Sequence, residues 1–139
     1  MRGCVFCRII SGDEPAEVVL DQGPVVAFLD HRPLFPGHVL VVPRDHHETL
    51  ADLPSDQLEP LFAQVRRLSR LVPEVLDAQG TFVANNNIVS QSVPHLHVHV
   101  VPRRRKDGLR GFFWPRTPYD DDAHRAEVGA RLRAAVEDV

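Results

Sequence analysis

The sequence predicts an α+β fold built on an antiparallel sheet, and three observations carry that reading. Short apolar runs bounded by Pro, Gly, Asp and Asn occur at 18–20, 25–29 and 38–42, as strands do. Leu58, Leu61, Phe62, Val65, Leu68 and Val72 follow the i, i+3, i+4, i+7 spacing of an amphipathic helix. Residues 81–84 and 93–101, joined by the polar turn 85–91, read as an antiparallel hairpin. Helices and antiparallel strands in this mixed order make an α+β domain.

The elements follow in order. Residues 4–10 mix Cys, Val, Phe and Ile and fit a short helix or a turn packed on the sheet, and 11–15 form a loop. Strand 18–20 turns through 21–24 into strand 25–29. Residues 30–37, with Pro33 and Pro36, are too rich in proline for regular structure; strand 38–42 follows and Pro43 ends it. Ser55 or Asp56 is the expected N-cap of the amphipathic helix, Pro60 needs a place in its first turn, and Pro73 ends or kinks it. From 102 to 118 the chain reads as irregular, with Arg103, Arg104, Arg105, Lys106, Arg110 and Arg116 set against Asp107. That stretch is a solvated loop, or its cations meet a polyanionic substrate. Asp121 or Asp122 caps a last helix with Val128, Leu132 and Val136 on its inner face.

A chain of 139 residues, 43% hydrophobic and 25% charged, fits one domain spanning 1–139 with a sizeable core. The net charge of −3 argues against nucleic-acid binding through bulk positive charge. No stretch approaches a membrane span, and Met1-Arg2-Gly3-Cys4 does not open a signal peptide, so the expected place is the cytoplasm with no membrane partner. Cys4 and Cys7 form a Cys-x-x-Cys, which reads as half a zinc site or a redox pair. The redox reading needs a βαβ context that the N-terminus lacks. Two cysteines fill half a tetrahedral site, and histidine is the obvious supplier of the rest.

The chemistry concentrates at Pro94-His95-Leu96-His97-Val98-His99-Val100-Val101. On a strand His95, His97 and His99 share one face, spaced about 7 Å apart, while Leu96, Val98 and Val100 take the other. Two readings stand: a catalytic zinc held by all three histidines, or His97 as a nucleophile on phosphorus with His99 beside it. Gln91 and Ser92 offer an amide and a hydroxyl to phosphate oxygens just before the row. No acid lies near enough to complete a His-Glu metallohydrolase signature, which tilts the balance toward phosphate chemistry.

His95-Leu-His97-Val-His99-Val-Val resembles the signature of the histidine triad (HIT) family. Cys4-Val-Phe-Cys7-Arg-Ile-Ile is similar to the family's N-terminal zinc half-site, and Ala27-Phe28-Leu29-Asp30 with residues 36–43 to its nucleoside-binding segment. The resemblance covers about 3–103, leaving 104–139 as a C-terminal loop and helix. It implies a homodimeric HIT-like fold and a hydrolase acting at the α-phosphate of a purine nucleoside phosphoramidate or dinucleoside polyphosphate. It further implies His97 as the nucleophile, His99 assisting the phosphate or leaving group, Asp30 on the ribose hydroxyls, Phe28 against the base, and Asn85, Gln91 and Ser92 toward the phosphate. His99, where the transferase branch carries Gln, favours the hydrolase branch. The implied ligands of a structural zinc are Cys4, Cys7, His46 and His95, with His47 an adjacent rival to His46. His38 reads as a core histidine behind the site. The turn 85–90, Asn-Asn-Asn-Ile-Val-Ser, departs from the family's glycine-rich pattern. The rivals in function are a zinc hydrolase using all three histidines and a nucleotide-binding protein without turnover.

Overall fold

The computed structural model describes residues 1, 3–110 and 115–138; residues 111–114 of the expected irregular segment, with Arg2 and Val139, lie outside the described residues. The chain divides into two compact units, Met1–Asp107 and Gly108–Val139.

The first unit is built on five antiparallel strands: β1 (Val18–Gln22), β2 (Val25–Leu29), β3 (Val39–Pro43), β4 (Gly80–Ala84) and β5 (Val98–Arg103). Their order across the sheet is β1-β2-β3-β5-β4. β2 and β3 are buried along nearly their whole length because both faces of the sheet are covered there. On one face Ala27, Val39, Val41, Leu96, Val98 and Val100 meet Leu61, Val65, Leu68 and Val72 of a 22-residue helix, α2 (Ser55–Leu76). On the other, Val26, Phe28, Leu40 and Val42 meet Cys4 and Phe6 at a seven-residue helix, α1 (Val5–Ser11). Alternation along the strands therefore separates a wholly apolar layer from a thinner layer that also holds cysteine and histidine. Among the described residues no helix is long and apolar enough to cross a membrane.

Several expectations need correction. The histidine row is not a strand throughout: β5 starts at Val98, so only His99 lies in the ladder. β3 pairs with β5 only across Val39–Val41, and Pro94 brings no N–H, so residues 93–97 enter the sheet irregularly. Leu96 instead donates its N–H to His47 O at 2.7 Å. The helix begins at Ser55 with Pro54 in the cap position, without a side-chain cap, and Pro60 falls in the second turn. Pro73 does not stop it; the helix runs on to Leu76 and ends where Asp77 turns left-handed at φ 54°. Each proline forfeits one backbone bond, and the buried stripe of Leu61, Val65, Leu68 and Val72 holds the helix across both. Leu58 and Phe62 were expected on the buried face but lie off that stripe, 48% and 37% exposed.

The basic segment is partly structural. Arg103 forks onto Asp107 at 2.6 and 3.1 Å and Arg104 donates to Leu76 O at 2.5 Å, so these two cations close a turn of the protein itself. In the second unit, α3 (Asp122–Glu137) is capped by Asp121, whose carboxylate accepts from His124 N–H at 2.7 Å. Its expected inner face is not buried: Leu132 and Val136 are 64% and 74% exposed.

Candidate functional site

α1 opens with Cys4 as its N-cap, the thiol accepting from Cys7 N–H, so one turn of helix sets the two sulfurs side by side. Facing them are His46, just past β3, and His95 on the entry to β5. Cys4 Sγ and Cys7 Sγ each lie 3.5 Å from His95 Nδ1, and Cys7 Sγ lies 3.3 Å from His46 Nδ1. All four ligand atoms sit within 4.8 Å of one another. Zinc bonds of about 2.3 Å to sulfur and about 2.0 Å to nitrogen at tetrahedral angles place S and N about 3.5 Å apart. The donor set and its spacing fit such an ion. His47 is not in the cluster.

Backbone groups decide which nitrogen of each histidine is available. Pro43 O lies 2.9 Å from His95 Nε2 and can only accept, so that nitrogen carries the proton and Nδ1 keeps its lone pair for the thiol cluster. His97 Nδ1 donates to His95 O at 2.7 Å, which leaves the lone pair of the neutral ring on Nε2. Asn85 Nδ2 donates to His97 O at 2.9 Å and holds the same backbone from the β4 side. His99, paired across the sheet with Leu40 and Ala84, has its Nδ1 2.8 Å from His38 Nε2. The three imidazoles thus face three different partners and do not converge on one centre. Burial depresses the basicity of His38, and it takes His95 and His99 from an ordinary 6.5 to about 4, so these three rings are neutral near pH 7. Burial, then the neighbouring Cys4, pushes the Cys7 thiol up, so a metal ion there would have to displace its proton.

A cavity of about 690 Å³ opens beside the row. Its walls include Phe28, Asp30, Ser92, His97 and His99 of the residues expected at the site, and Val5, Phe6, Ile9, Leu40 and Val93 besides. Phe6 packs edge-to-face with His97 at 5.1 Å and with Phe28 at 5.2 Å between ring centres. A lining that combines apolar side chains with Asp30, Ser92 and two imidazoles suits an apolar group joined to a polar one. Asn85 and Gln91 are not in the wall. Gln91 spans the turn instead, donating to Glu48 O at 2.7 Å and accepting from Ile88 N–H at 2.9 Å. Sequence reasoning missed Phe6, for which the local sequence carries no signal, since helical residues one or two apart do not share a face. His38 is the core histidine behind the site that the sequence suggested, and it lies 3.8 Å from Asp30 Oδ2 as well as against His99.

Residues 11–106 match the HIT domain model. The chain belongs to the HIT family. A Saccharomyces cerevisiae relative called adenosine 5′-monophosphoramidase is 33% identical, the match covering 86% of this chain and 74% of the relative. Among solved structures, a Streptococcus mutans protein superposes with a TM-score of 0.86 at 31% identity, covering 98% of this chain and 87% of that one. A zinc-bound histidine triad protein from Mycobacterium smegmatis is 36% identical with a TM-score of 0.74, covering 96% and 98%. The α+β architecture of this HIT protein is the architecture of those neighbours.

Proposed function

We propose that this HIT protein is a nucleotide hydrolase acting at the α-phosphate of a purine nucleoside phosphoramidate or a dinucleoside polyphosphate. The observation that carries the reading is His97: its Nδ1–H is given to His95 O, so its Nε2 lone pair is held beside a cavity that also presents Asp30, Ser92 and His99. The name of the yeast relative supports the phosphoramidate class. His97 Nε2 attacks the α-phosphorus as the bond to the leaving group breaks, His95 O holds the His97 Nδ1–H of the resulting phosphoimidazolium, and the leaving group takes its proton from solvent water. Water then cleaves the P–N bond, releasing the nucleoside monophosphate and restoring the imidazole. His99 and Ser92 meet the charge that develops on the phosphate oxygens. Asp30 takes the ribose hydroxyls and Phe28 the base, while Asn85 and Gln91 act by bracing the backbone around His97 and Ser92.

Cys4, Cys7, His46 and His95 would hold a structural zinc, closed because all four positions come from protein. The divergent surroundings of His95, His97 and His99 speak against the rival zinc hydrolase that uses all three. A homodimer formed through a sheet edge is part of the same proposal, β1 and β4 being the edges. A turnover screen across adenosine phosphoramidates and dinucleoside polyphosphates tests the activity. Release of nucleoside monophosphate is expected, falling about a thousandfold or more in His97→Ala, as removal of a covalent nucleophile does. Binding of AMP with no turnover of any member would favour a binding protein instead.

A further inference from the structure

His38 lies behind the cavity wall, against two residues that line it, Asp30 and His99. It is 3% exposed and sits one residue before β3, where the register makes it the diagonal neighbour of His99 on the same face. Leu34 N–H donates to its Nδ1 at 3.1 Å. A backbone N–H can only donate, so Nδ1 of the neutral ring is the acceptor and Nε2 carries the proton. That Nε2–H is 2.8 Å from His99 Nδ1 and 3.8 Å from Asp30 Oδ2. His99 Nδ1 must then accept, which leaves the His99 proton on Nε2. The other Asp30 oxygen accepts from Arg32 N–H at 2.9 Å. Asp30, His38 and His99 also lie close enough to hold a metal ion. Leu34 decides against that, because a protonated Nε2 has no lone pair to give.

We propose that His38 is a positioning residue that couples ribose at Asp30 to the proton-donor state of His99, so that ribonucleotides are selected in the chemical step and not only in binding. The inference rests on the proposed roles of Asp30 and His99. In the empty site the Asp30 carboxylate and His99 Nδ1 both attract the single His38 Nε2–H. Two ribose hydroxyls donating to Asp30 offset its charge and leave that N–H to His99 alone. His99 is then held with Nε2–H toward the phosphate. A 2′-deoxy substrate leaves Asp30 half satisfied and the competition in place.

The test is a kinetic cycle with adenosine and 2′-deoxyadenosine phosphoramidates on the wild type and on His38→Asn. The wild type is expected to lose about tenfold in kcat on the deoxy substrate, a size typical of coupled neighbours, and His38→Asn to show a kcat ratio near one while its KM still favours ribose. An equal kcat ratio in both proteins would overturn the coupling. Ring ¹⁵N NMR of the substrate-free wild type reads the same chain of protons without catalysis. Protons on Nε2 of His38 and His99 and on Nδ1 of His97 are expected, and a proton on His99 Nδ1 would overturn it. Absence of a nucleotidyl-His97 intermediate would instead remove the proposed function and leave this NMR result standing.

Discussion

His95, His97 and His99 carry the same side chain in one short run, and their surroundings give each a different partner. Pro43 O, His95 O and His38 Nε2 each take one nitrogen, so each ring offers only its other nitrogen for chemistry. Burial favours the neutral forms of His38 and His99 in the folded protein. Their folded proton affinity is lower than in the unfolded chain, so as pH falls from about 6.5 toward about 4 the unfolded chain binds protons the folded one refuses. Stability is therefore expected to be level above that window and to decline through it. Urea midpoints measured against pH should show this, with a shallower decline in His99→Asn; a midpoint indifferent to pH would contradict it. The alternation that identified the row as special was legible in the sequence. The division of labour within it was legible only through the family resemblance, because the spacing of the row says nothing of the carbonyls and the histidine that folding brings close.

The elements most exposed to a single change are the short ones. A helix of seven residues is too short to persist alone, so α1 depends on Cys4, Cys7 and the burial of Phe6. Cys7→Ser is expected to abolish zinc binding and to speed amide exchange across α1 while α2 stays protected; retention of one zinc per chain would refute the ligand set. α2 owes its unbroken run past two prolines to its buried stripe. Leu61, 1% exposed, should cost about 2–5 kcal/mol on replacement by Ala, seen in the urea midpoint. Gly37 holds φ 98° immediately before His38, and an added Cβ would stand 2.1 Å from the tip of Leu76. Leu76 is at the surface and can yield, so the cost of Gly37→Ala lies chiefly in the left-handed backbone, about 1–2 kcal/mol. The periodicities marked β2, β3, α2 and β4 because each is a local pattern. Where β5 begins was not legible, since Leu96 N–H turns to His47 O, a partner that only folding supplies.

At the scale of the whole molecule, the cluster of Cys4, Cys7, His46 and His95 and the cavity meet at Phe6. Phe6 is carried by the helix whose cysteines face His46 and His95, and it touches both His95 and His97. Chelation is accordingly expected to weaken AMP binding several-fold by calorimetry, with zinc restoring it; unchanged affinity would separate the two sites. The residues at 28, 30, 92, 97 and 99 could be read from the sequence because short motifs carry them. Val5, Phe6 and Ile9 reach the cavity only because α1 folds back over the sheet, and apolar residues near an N-terminus announce no such destination. The apolar spacing of 128, 132 and 136 misled for the converse reason: periodicity reports a face, not what covers it.

The central claim is that His97 Nε2 becomes covalently attached to the nucleotide. Rapid acid-free quenching of the wild type with an adenosine phosphoramidate, followed by intact mass and peptide mapping, measures it directly. One adenylyl group on the peptide carrying His97, and none on His97→Ala, is the result expected. Steady turnover with no adenylyl-enzyme at any time, or label retained by His97→Ala, would contradict it.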